Sequence, residues 1–371
     1  MEGSSSDPRR VPRARIRVDA LRHNLTVIRR AAPGARVMAV VKANAYGHGI
    51  VTVAQALADA DAFAVARVEE AIELREASVA RRIVLLQGVI DAGQLRQAVQ
   101  ADLDLVVHHF AQVELLEQCA FAHRFVIWLK INSGMNRLGL RPAEAQVAWR
   151  RLTQLPVPPQ ELHLMTHLAC ADEPNSTLTA QQLTQFHAVR TDLETLSSRR
   201  LTTSIGNSAG TLTGIELQGD WVRPGIALYG VSPFAARTSA ELGLLPVMTL
   251  ESAVIALREL AAGESVGYGA SWRAARASRI AIVAGGYADG VPRALPNAAP
   301  VLINGRRAGL AGRVSMDMLA VDVTEVPGVD VGTPVILWGE GLPVEELAAA
   351  AATIPYELLS GVGSRVALEP C

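Results

Sequence analysis

Short apolar runs alternate with longer amphipathic segments from residue 37 onwards. Eight runs have the length of buried strands, and the segments between them, such as 19–30 and 68–77, place apolar residues at helical spacing. Asp19 is predicted to cap the first of these helices. Because the strands alternate with helices, the pattern favours an α/β fold, a (β/α)8 TIM-type barrel rather than an open sheet. The predicted barrel strands are 37–41, 62–65, 83–86, 103–107, 125–131, 162–167, 203–205 and 221–223.

The pattern changes after Pro233, where strand-like runs are separated by Gly, Pro and Asn turns. This texture predicts a second, mainly β domain with one helix near 344–352, and a boundary at about 233–246. The predicted organisation is a flexible tail at 1–14, a barrel at 15–238 and a C-terminal β domain at 239–371. The predicted strands of the second domain are 247–257, 279–283, 301–303, 318–323 and 335–338.

The amino-acid composition excludes several classes of function for this chain. Half of the 371 residues are apolar, and the formal net charge is −1, so no nucleic-acid partner is expected. No apolar run approaches the roughly 18 residues of a membrane span, and the N-terminal segment lacks the apolar stretch of a secretory signal, so we expect a cytoplasmic protein with no membrane partner. Three irregularly spaced cysteines suit neither a disulfide framework nor a zinc site, and no metal is expected.

Candidate chemistry lies at the strand ends, because barrel enzymes gather their reactive groups at the C-terminal end of the barrel. Lys42 follows the first barrel strand, where burial would lower the pKa of its amine and make it nucleophilic toward an aldehyde. By position alone it could equally be a structural lysine. Asn207-Ser208 and Gly225-Ile226 follow the seventh and eighth strands, where barrels often bind phosphate.

Residues 39–49, AVVKANAYGHG, resemble the cofactor-lysine motif of the alanine racemase family. Further segments that resemble this family follow in its order, at 132–139, 223–230, 266–269, 285–290 and 312–318. The resemblance covers nearly everything after the tail. It implies an N-terminal barrel, a C-terminal β domain, bound pyridoxal 5'-phosphate and a homodimer with shared active sites.

The resemblance also implies a role for each candidate residue. Lys42 would bind the cofactor covalently and serve the D-alanine side, while Tyr268 of the other subunit would serve the L-alanine side. Arg223 would face the pyridine nitrogen, and His167 would stack on the ring. Arg137 would bind the substrate carboxylate, and Lys130 would be carbamylated. The phosphate contacts would be Tyr46, Asn207, Ser208, Gly225, Ile226 and Tyr356, and the substrate contacts would be Met316 and Asp317. The entry corridor would consist of Asp172, Tyr287, Arg293, Arg313 and Ile354.

Two of these roles have a direct physical reason. Racemisation removes a proton from one face of Cα and delivers one to the other, so two acid/base groups must flank it. A phenol titrates at about pH 10, so Tyr268 needs a neighbour that stabilises its anion. Arg223 stays protonated and donates to an unprotonated ring nitrogen, whereas a decarboxylase of this cofactor class would place an acidic residue there.

One departure from the family leaves alternatives open. Asn132 stands where the family commonly has Asp, which removes a carboxylate two residues beyond Lys130 and alters the charge balance around Arg137, and with it the carbamate and the substrate breadth. A broader amino-acid or serine racemase and a non-catalytic pyridoxal-phosphate carrier stay open as alternatives, although a carrier needs neither Tyr268 nor a second domain. The family favours supply of D-alanine for peptidoglycan, but the residues do not distinguish this from degradation.

Overall fold

The computed structural model describes residues 12–119, 123–214 and 219–371. Its first unit is a barrel of eight parallel strands that pair in chain order, and the first of them also pairs with the last. Between the last two strands, the Arg223 N–H donates to the Gly206 carbonyl oxygen at 2.7 Å and closes the ring. The predicted barrel is therefore confirmed. With strands numbered along the whole chain, the barrel contains β2 (Arg36–Val40), β3 (Ala62–Val65), β4 (Arg82–Leu85), β5 (Leu103–Val107), β6 (Val126–Lys130), β7 (Glu161–Met165), β8 (Thr203–Ser204) and β9 (Trp221–Val222).

Side chains along the barrel strands alternate between the outer helices and the lumen. In β6, Ile127 and Leu129 belong to the outer core, whereas Trp128 packs in the lumen against Trp221, with ring centroids 5.9 Å apart. Because side chains repeat every two residues along a strand, Lys130 follows Trp128 toward the lumen. Apolar side chains, which we call the plug, fill the lumen, and polar side chains occupy the C-terminal end of the barrel. The plug residues are Met38, Val40, Ala62, Ala64, Val84, Val106, Trp128, Met165 and Trp221.

Helices cover the outside of the barrel. The predicted N-cap at Asp19 is wrong: α1 starts at Val18 with Arg17 at the cap, and Asp19 lies in the first turn, 2.8 Å from the Arg17 guanidinium. An acidic side chain is favourable there because it faces the positive end of the helix dipole. The helices are α1 (Val18–Ala31), α2 (Lys42–Gly47), α3 (Ile50–Ala56), α4 (Val68–Glu76), α5 (Ala92–Gln100), α6 (Phe110–Gln118), α7 (Ala145–Thr153), α8 (Thr177–Ser197) and α9 (Ser208–Thr213).

The second unit is mainly β, as predicted, and is built around the 13-residue strand β10 (Met248–Leu260), which pairs with three other strands. The five predicted runs all form strands, with ends shifted by up to three residues. Its other elements are β11 (Ser265–Val266), β12 (Trp272–Arg273), β13 (Ser278–Ala284), β14 (Pro300–Ile303), β15 (Arg306–Leu310), β16 (Met318–Asp322), β17 (Pro334–Trp338), β18 (Ala367–Pro370), α10 (Val344–Ala350) and α11 (Pro355–Ser360).

The first strand of the chain, β1 (Arg13–Ile16), belongs to this second sheet. It pairs antiparallel with β10 and parallel with β18, and it buries Ala14 and Ile16. The predicted tail at 1–14 is therefore wrong at its last two residues, because alternating apolar side chains there find a sheet face. Residues 1–11 of that predicted tail lie outside the described residues.

In the ranges 12–119, 123–214 and 219–371, no helix has the length and apolarity needed to cross a bilayer. Within the same ranges, no three or more His, Cys, Asp or Glu side chains come together as metal ligands. Cys119, Cys170 and Cys371 are unpaired.

Candidate active site at the barrel mouth

Predicted site residues converge at the C-terminal ends of the barrel strands, which we call the barrel mouth. Lys42 follows β2, Lys130 ends β6, His167 follows β7 and Arg223 follows β9. His167 and Arg223 were predicted to lie within strands, but the ladders end at Met165 and Val222. Both residues therefore stand just beyond the sheet.

The barrel mouth has an excess of positive charge. Burial lowers the pKa of Lys130 to about 7, helped by Arg223, Arg137 and Lys42. Burial, followed by Arg137, also lowers the pKa of Lys42, and Glu70 opposes the shift. The pKa of His167 falls well below its ordinary value, through burial first and Arg223 second, so this imidazole is neutral at neutral pH. Such a cluster of cations is suited to an anionic ligand.

Arg223 is held rigidly at this mouth. Its side chain is 5% exposed, and burial lowers its pKa to about 10, so the guanidinium stays protonated at neutral pH. It donates to the carbonyl oxygens of Thr166 and Ile205 and to the Ser204 hydroxyl, and it lies 3.4 Å from His167 Nδ1. Because these partners come from the ends of β7 and β8, the orientation of Arg223 is fixed by the barrel itself.

Lys42 begins a turn of unusual hand. The next four residues, Ala43–Tyr46, have φ values of 54°, 51°, 52° and 53°, which is a left-handed helical turn with no glycine. Each such residue costs roughly 1–2 kcal/mol relative to a right-handed conformation. The turn therefore persists only because surrounding contacts stabilise it.

The predicted phosphate residues come together beside this turn. The Ser208 hydroxyl accepts the N–H of Gly225 at 2.9 Å and that of Ala227 at 3.3 Å. A Cβ atom at Gly225 would lie 2.3 Å from the Tyr46 hydroxyl, so only glycine fits there. The Tyr46 ring lies 6.1 Å from Tyr356, whose pKa burial raises to about 12. Ile226 opens the following 3-10 turn, and the Asn207 side chain caps α9 through the Gly210 N–H.

Asn132 organises the loop that carries Arg137. Its Oδ1 atom accepts the N–H groups of Gly134 at 3.2 Å and Asn136 at 3.0 Å, and its amide nitrogen donates to Asn136 Oδ1. An aspartate could accept the same two N–H bonds. Relative to an aspartate, Asn132 thus keeps these two acceptor contacts, removes a charge and adds the donor that reaches Asn136, while the Arg137 side chain is exposed.

The predicted residues of the second domain form a separate, exposed group. Tyr268 is 66% exposed on the β11–β12 hairpin, beside Arg313, and Met316 is 53% exposed. The Asp317 carboxylate is bound by Arg365 at 2.6 Å. Through the described parts of the chain, no hydrogen bond or ion pair joins Tyr268, Met316 or Asp317 to Lys42. Tyr287, Arg293, Arg313 and Ile354 are exposed, and Asp172 contributes to the raised pKa of Tyr356.

Two residues at the barrel mouth were missed by sequence reasoning. Glu70 Oε1 accepts the Ala43 N–H at 2.6 Å, and His48 Nδ1 lies 2.8 Å from the Tyr46 carbonyl oxygen. Glu70 had a detectable signal, since acidic residues such as Glu69 and Glu70 are typical of the first turn of a helix. His48 was within the family motif, but no spacing rule indicates that its ring is completely buried.

Comparison with known proteins identifies the family. Residues 16–233 match a family profile described as alanine racemase, N-terminal domain, and residues 247–369 match one described as alanine racemase, C-terminal domain. Alanine racemase from Thioalkalivibrio sulfidiphilus is 52% identical over 363 residues, covering 97% of this chain and 99% of that protein. Alanine racemase from Shewanella amazonensis is 48% identical, covering 96% and 98%.

Solved structures agree with these matches. The biosynthetic alanine racemase from Pseudomonas aeruginosa has a TM-score of 0.91 at 49% identity, covering 97% of this chain and 99% of that chain. Alanine racemase from Acinetobacter baumannii has a TM-score of 0.91 at 38% identity, covering 98% and 100%. The family predicted from the motifs is confirmed, and the chain belongs to the alanine racemase family.

Proposed function

We propose that this protein interconverts L-alanine and D-alanine with pyridoxal 5'-phosphate held at the barrel mouth by Lys42. The observation that carries this proposal is the buried cationic cluster at the strand ends. Lys42 and Lys130 have lowered pKa values there, and Arg223 is fixed beside a neutral His167. The relatives described above are named for this reaction.

The residues at the mouth fit this cofactor. Its phosphate needs donors in a confined space, and the Ser208 hydroxyl, the Tyr46 hydroxyl and the backbone around Gly225 lie together there. Its aldehyde needs an amine with a lowered pKa, which Lys42 supplies. Its ring nitrogen would face Arg223, which remains protonated and therefore donates a hydrogen bond.

When bound, the cofactor acts as an electron sink that acidifies the Cα–H bond of an attached amino acid. Lys42, as a neutral amine, takes or returns the Cα proton on one face. Tyr268 does so on the opposite face. Arg137 binds the substrate carboxylate as a planar cation, and the Met316 and Asp317 backbone bounds the small substrate.

Tyr268 reaches the site from a second copy of the chain in this proposal. Tyr268 is largely exposed on its own chain beside Arg313, and Met316 and Met318, which follow Arg313 in the chain, are exposed as well. Exposed apolar side chains that cluster on one surface mark a contact site for another protein. A symmetric homodimer would cover this surface and complete both active sites at once.

Lys130 is proposed to carry a carbamate. The residue is 7% exposed, and the amine's pKa of about 7 leaves much of it neutral, the form that attacks carbon dioxide and releases one proton. The new anion would lie among Arg223, Arg137 and Lys42 and reduce their mutual repulsion. We further propose a cytoplasmic location and a role in supplying D-alanine for peptidoglycan, which the biosynthetic name of the Pseudomonas aeruginosa relative supports.

The test is a chiral-chromatography time course of the purified protein with L-alanine and with L-serine. We expect fast conversion of L-alanine, much slower conversion of L-serine, and no conversion by Lys42→Ala. Comparable rates on both substrates would indicate a broader racemase. Cofactor absorbance with no racemisation of any amino acid would instead support a carrier.

A further inference from the structure

The left-handed turn after Lys42 is held at both of its ends by side chains without an assigned role. We propose that Glu70 and His48 are positioning residues that clamp this turn, and that they thereby fix the directions of Lys42 and Tyr46. The proposal rests on the proposed function for what Lys42 and Tyr46 do, but the clamp itself is defined by contacts within the chain.

Both peptide groups that flank Lys42 are hydrogen-bonded. The Val41 carbonyl oxygen accepts the Ala45 N–H at 2.8 Å, and the Ala43 N–H donates to Glu70 Oε1 at 2.6 Å. Since the two flanking peptide planes determine φ and ψ at Lys42, they also determine where its Cβ points. Glu70 therefore controls one of the two planes that direct the amine.

Glu70 does this from a rigid support. Its other carboxylate oxygen accepts the N–H groups of Ala66 at 2.8 Å and Arg67 at 3.0 Å, at the start of α4. One carboxylate thus joins the N-terminus of α4 to the turn after β2. An amide at this position has a single acceptor oxygen for three N–H donors, so glutamine cannot replace glutamate without losing one end of the bridge.

His48 holds both peptide groups that flank Tyr46. Its Nδ1 atom lies 2.8 Å from the Tyr46 carbonyl oxygen and 3.1 Å from the Ala45 carbonyl oxygen. Carbonyl oxygens only accept, so Nδ1 must carry the proton. The ring is tilted against Tyr229 with centroids 4.6 Å apart, and Tyr229 in turn stacks on Tyr46 at 4.7 Å.

The other ring nitrogen shows why a histidine is required. His48 Nε2 is buried and has no hydrogen-bond partner among the residues that the structure describes. An apolar side chain would fill the same space without burying an unpaired acceptor, so packing alone would not favour imidazole. The hydrogen bonds that Nδ1 donates are therefore the reason for a histidine at this position.

The structure offers matched controls for both positions. Glu144 forms the same kind of capping box with the Arg141 N–H at 2.7 Å, but it does not contact the turn. His163 is 5% exposed and also leaves one ring nitrogen unpaired, at the opposite end of the barrel. Glu144→Gln and His163→Leu therefore match Glu70→Gln and His48→Leu in chemistry and burial.

The experiment measures hydrogen exchange of the holoenzyme together with the dissociation constant for pyridoxal phosphate and the steady-state kinetics. We expect Glu70→Gln and His48→Leu to speed amide exchange within 43–49 by about tenfold or more and to weaken cofactor binding, with both controls within about twofold of the wild type. A misdirected lysine should lower kcat more than it raises KM. His48→Asn should restore most of the protection, because its amide nitrogen lies where Nδ1 does.

The proposal is overturned if amide exchange at 43–49 is unchanged in both variants. It is also overturned if the two control variants lose as much protection as Glu70→Gln and His48→Leu. A wild-type protein that protects the turn but racemises no amino acid leaves the clamp standing and removes the proposed function.

Discussion

At the scale of single residues, the barrel mouth leaves almost no spare volume beside Tyr46. A Cβ atom at position 225 would lie 2.3 Å from the Tyr46 hydroxyl and 3.0 Å from its ring carbon Cζ. The ring cannot retreat easily because Tyr229 stacks against it at 4.7 Å. One methyl group is therefore enough to disturb the proposed phosphate site.

Gly225→Ala is expected to weaken binding of pyridoxal phosphate by about tenfold or more, since the displaced Tyr46 no longer lies beside Ser208. Titration of the cofactor into the stripped enzyme measures the effect. Gly214→Ala is the control, because a methyl group at that position would have no atom of the described residues within 4 Å and its φ of 171° is open to any residue. Equal affinity of Gly225→Ala and the wild type would contradict the crowding argument.

Lys130 gives a second prediction at this scale. Protein incubated with 13C-bicarbonate should show a carbamate carbon signal by NMR that is absent from Lys130→Gln. The signal should decline as the pH falls below 7, because an amine with a pKa of about 7 becomes protonated there and no longer reacts. A signal that persists in Lys130→Gln would place the carbamate elsewhere.

How much of the site follows from sequence depends on the kind of residue. Lys42, Lys130 and Arg223 stand at strand ends, so strand periodicity together with the family motifs predicts their location. Glu70 and His48 act through backbone groups of a left-handed turn. Four consecutive non-glycine residues of this hand contradict ordinary propensities, so no local rule predicts the turn or what holds it.

At the scale of elements, the N-terminal end of the barrel contains a buried acidic residue. Asp104 of β5 accepts the Trp128 indole N–H at 3.2 Å and lies 3.4 Å from the Arg82 guanidinium. Burial outweighs both partners and raises the Asp104 pKa to about 7. The folded protein therefore holds a proton on this group that the unfolded chain, with an ordinary value near 3.8, releases.

Ionisation of the buried Asp104 carboxyl should lower the free energy of unfolding as the pH rises from about 4 to 7. Above pH 7 the loss should stay at its full value. Asp104→Asn is therefore expected to be more stable than the wild type at pH 8, by on the order of 4 kcal/mol, and nearly equal to it at pH 4. Thermal unfolding midpoints at the two pH values provide the measurement. The exposed Asp59→Asn serves as control, and a stability gain that is the same at both pH values would contradict the buried-acid argument.

Strands that contain or adjoin an apolar run are the predictable ones. This holds for all eight barrel strands, including the two-residue strands β8 and β9, and for five strands of the second sheet. The two-residue strands β11 and β12 carry no such run, and β1 and β18 depend on pairing with distant partners. Their positions are set by tertiary contacts, which a pattern within one segment does not contain.

At the scale of the whole molecule, the two predicted bases lie on different units. Lys42 is at the barrel mouth, while Tyr268 is exposed on a hairpin of the β unit. The two bases act on one substrate if two copies of the chain form a homodimer and share each active site. Such a site makes activity a property of pairs of chains rather than of single chains.

Mixing two inactive variants tests this directly. After subunit exchange between Lys42→Ala and Tyr268→Phe, half of the dimers contain one chain of each kind, and each of these has one intact site. Activity should therefore recover to about a quarter of the wild-type level at equal concentrations. Active sites built within one chain predict no recovery, and each variant left unmixed supplies the baseline.

The pairing of β1 with β18 has a consequence for how the protein is made. Ile16 lies beside Met248 on one side and Pro370 on the other, so the barrel is an insertion within the β unit rather than a domain that precedes it. During synthesis, β1 leaves the ribosome before the barrel but must wait for β18. The barrel can fold in the interval, whereas the sheet that begins the protein is also the part completed last.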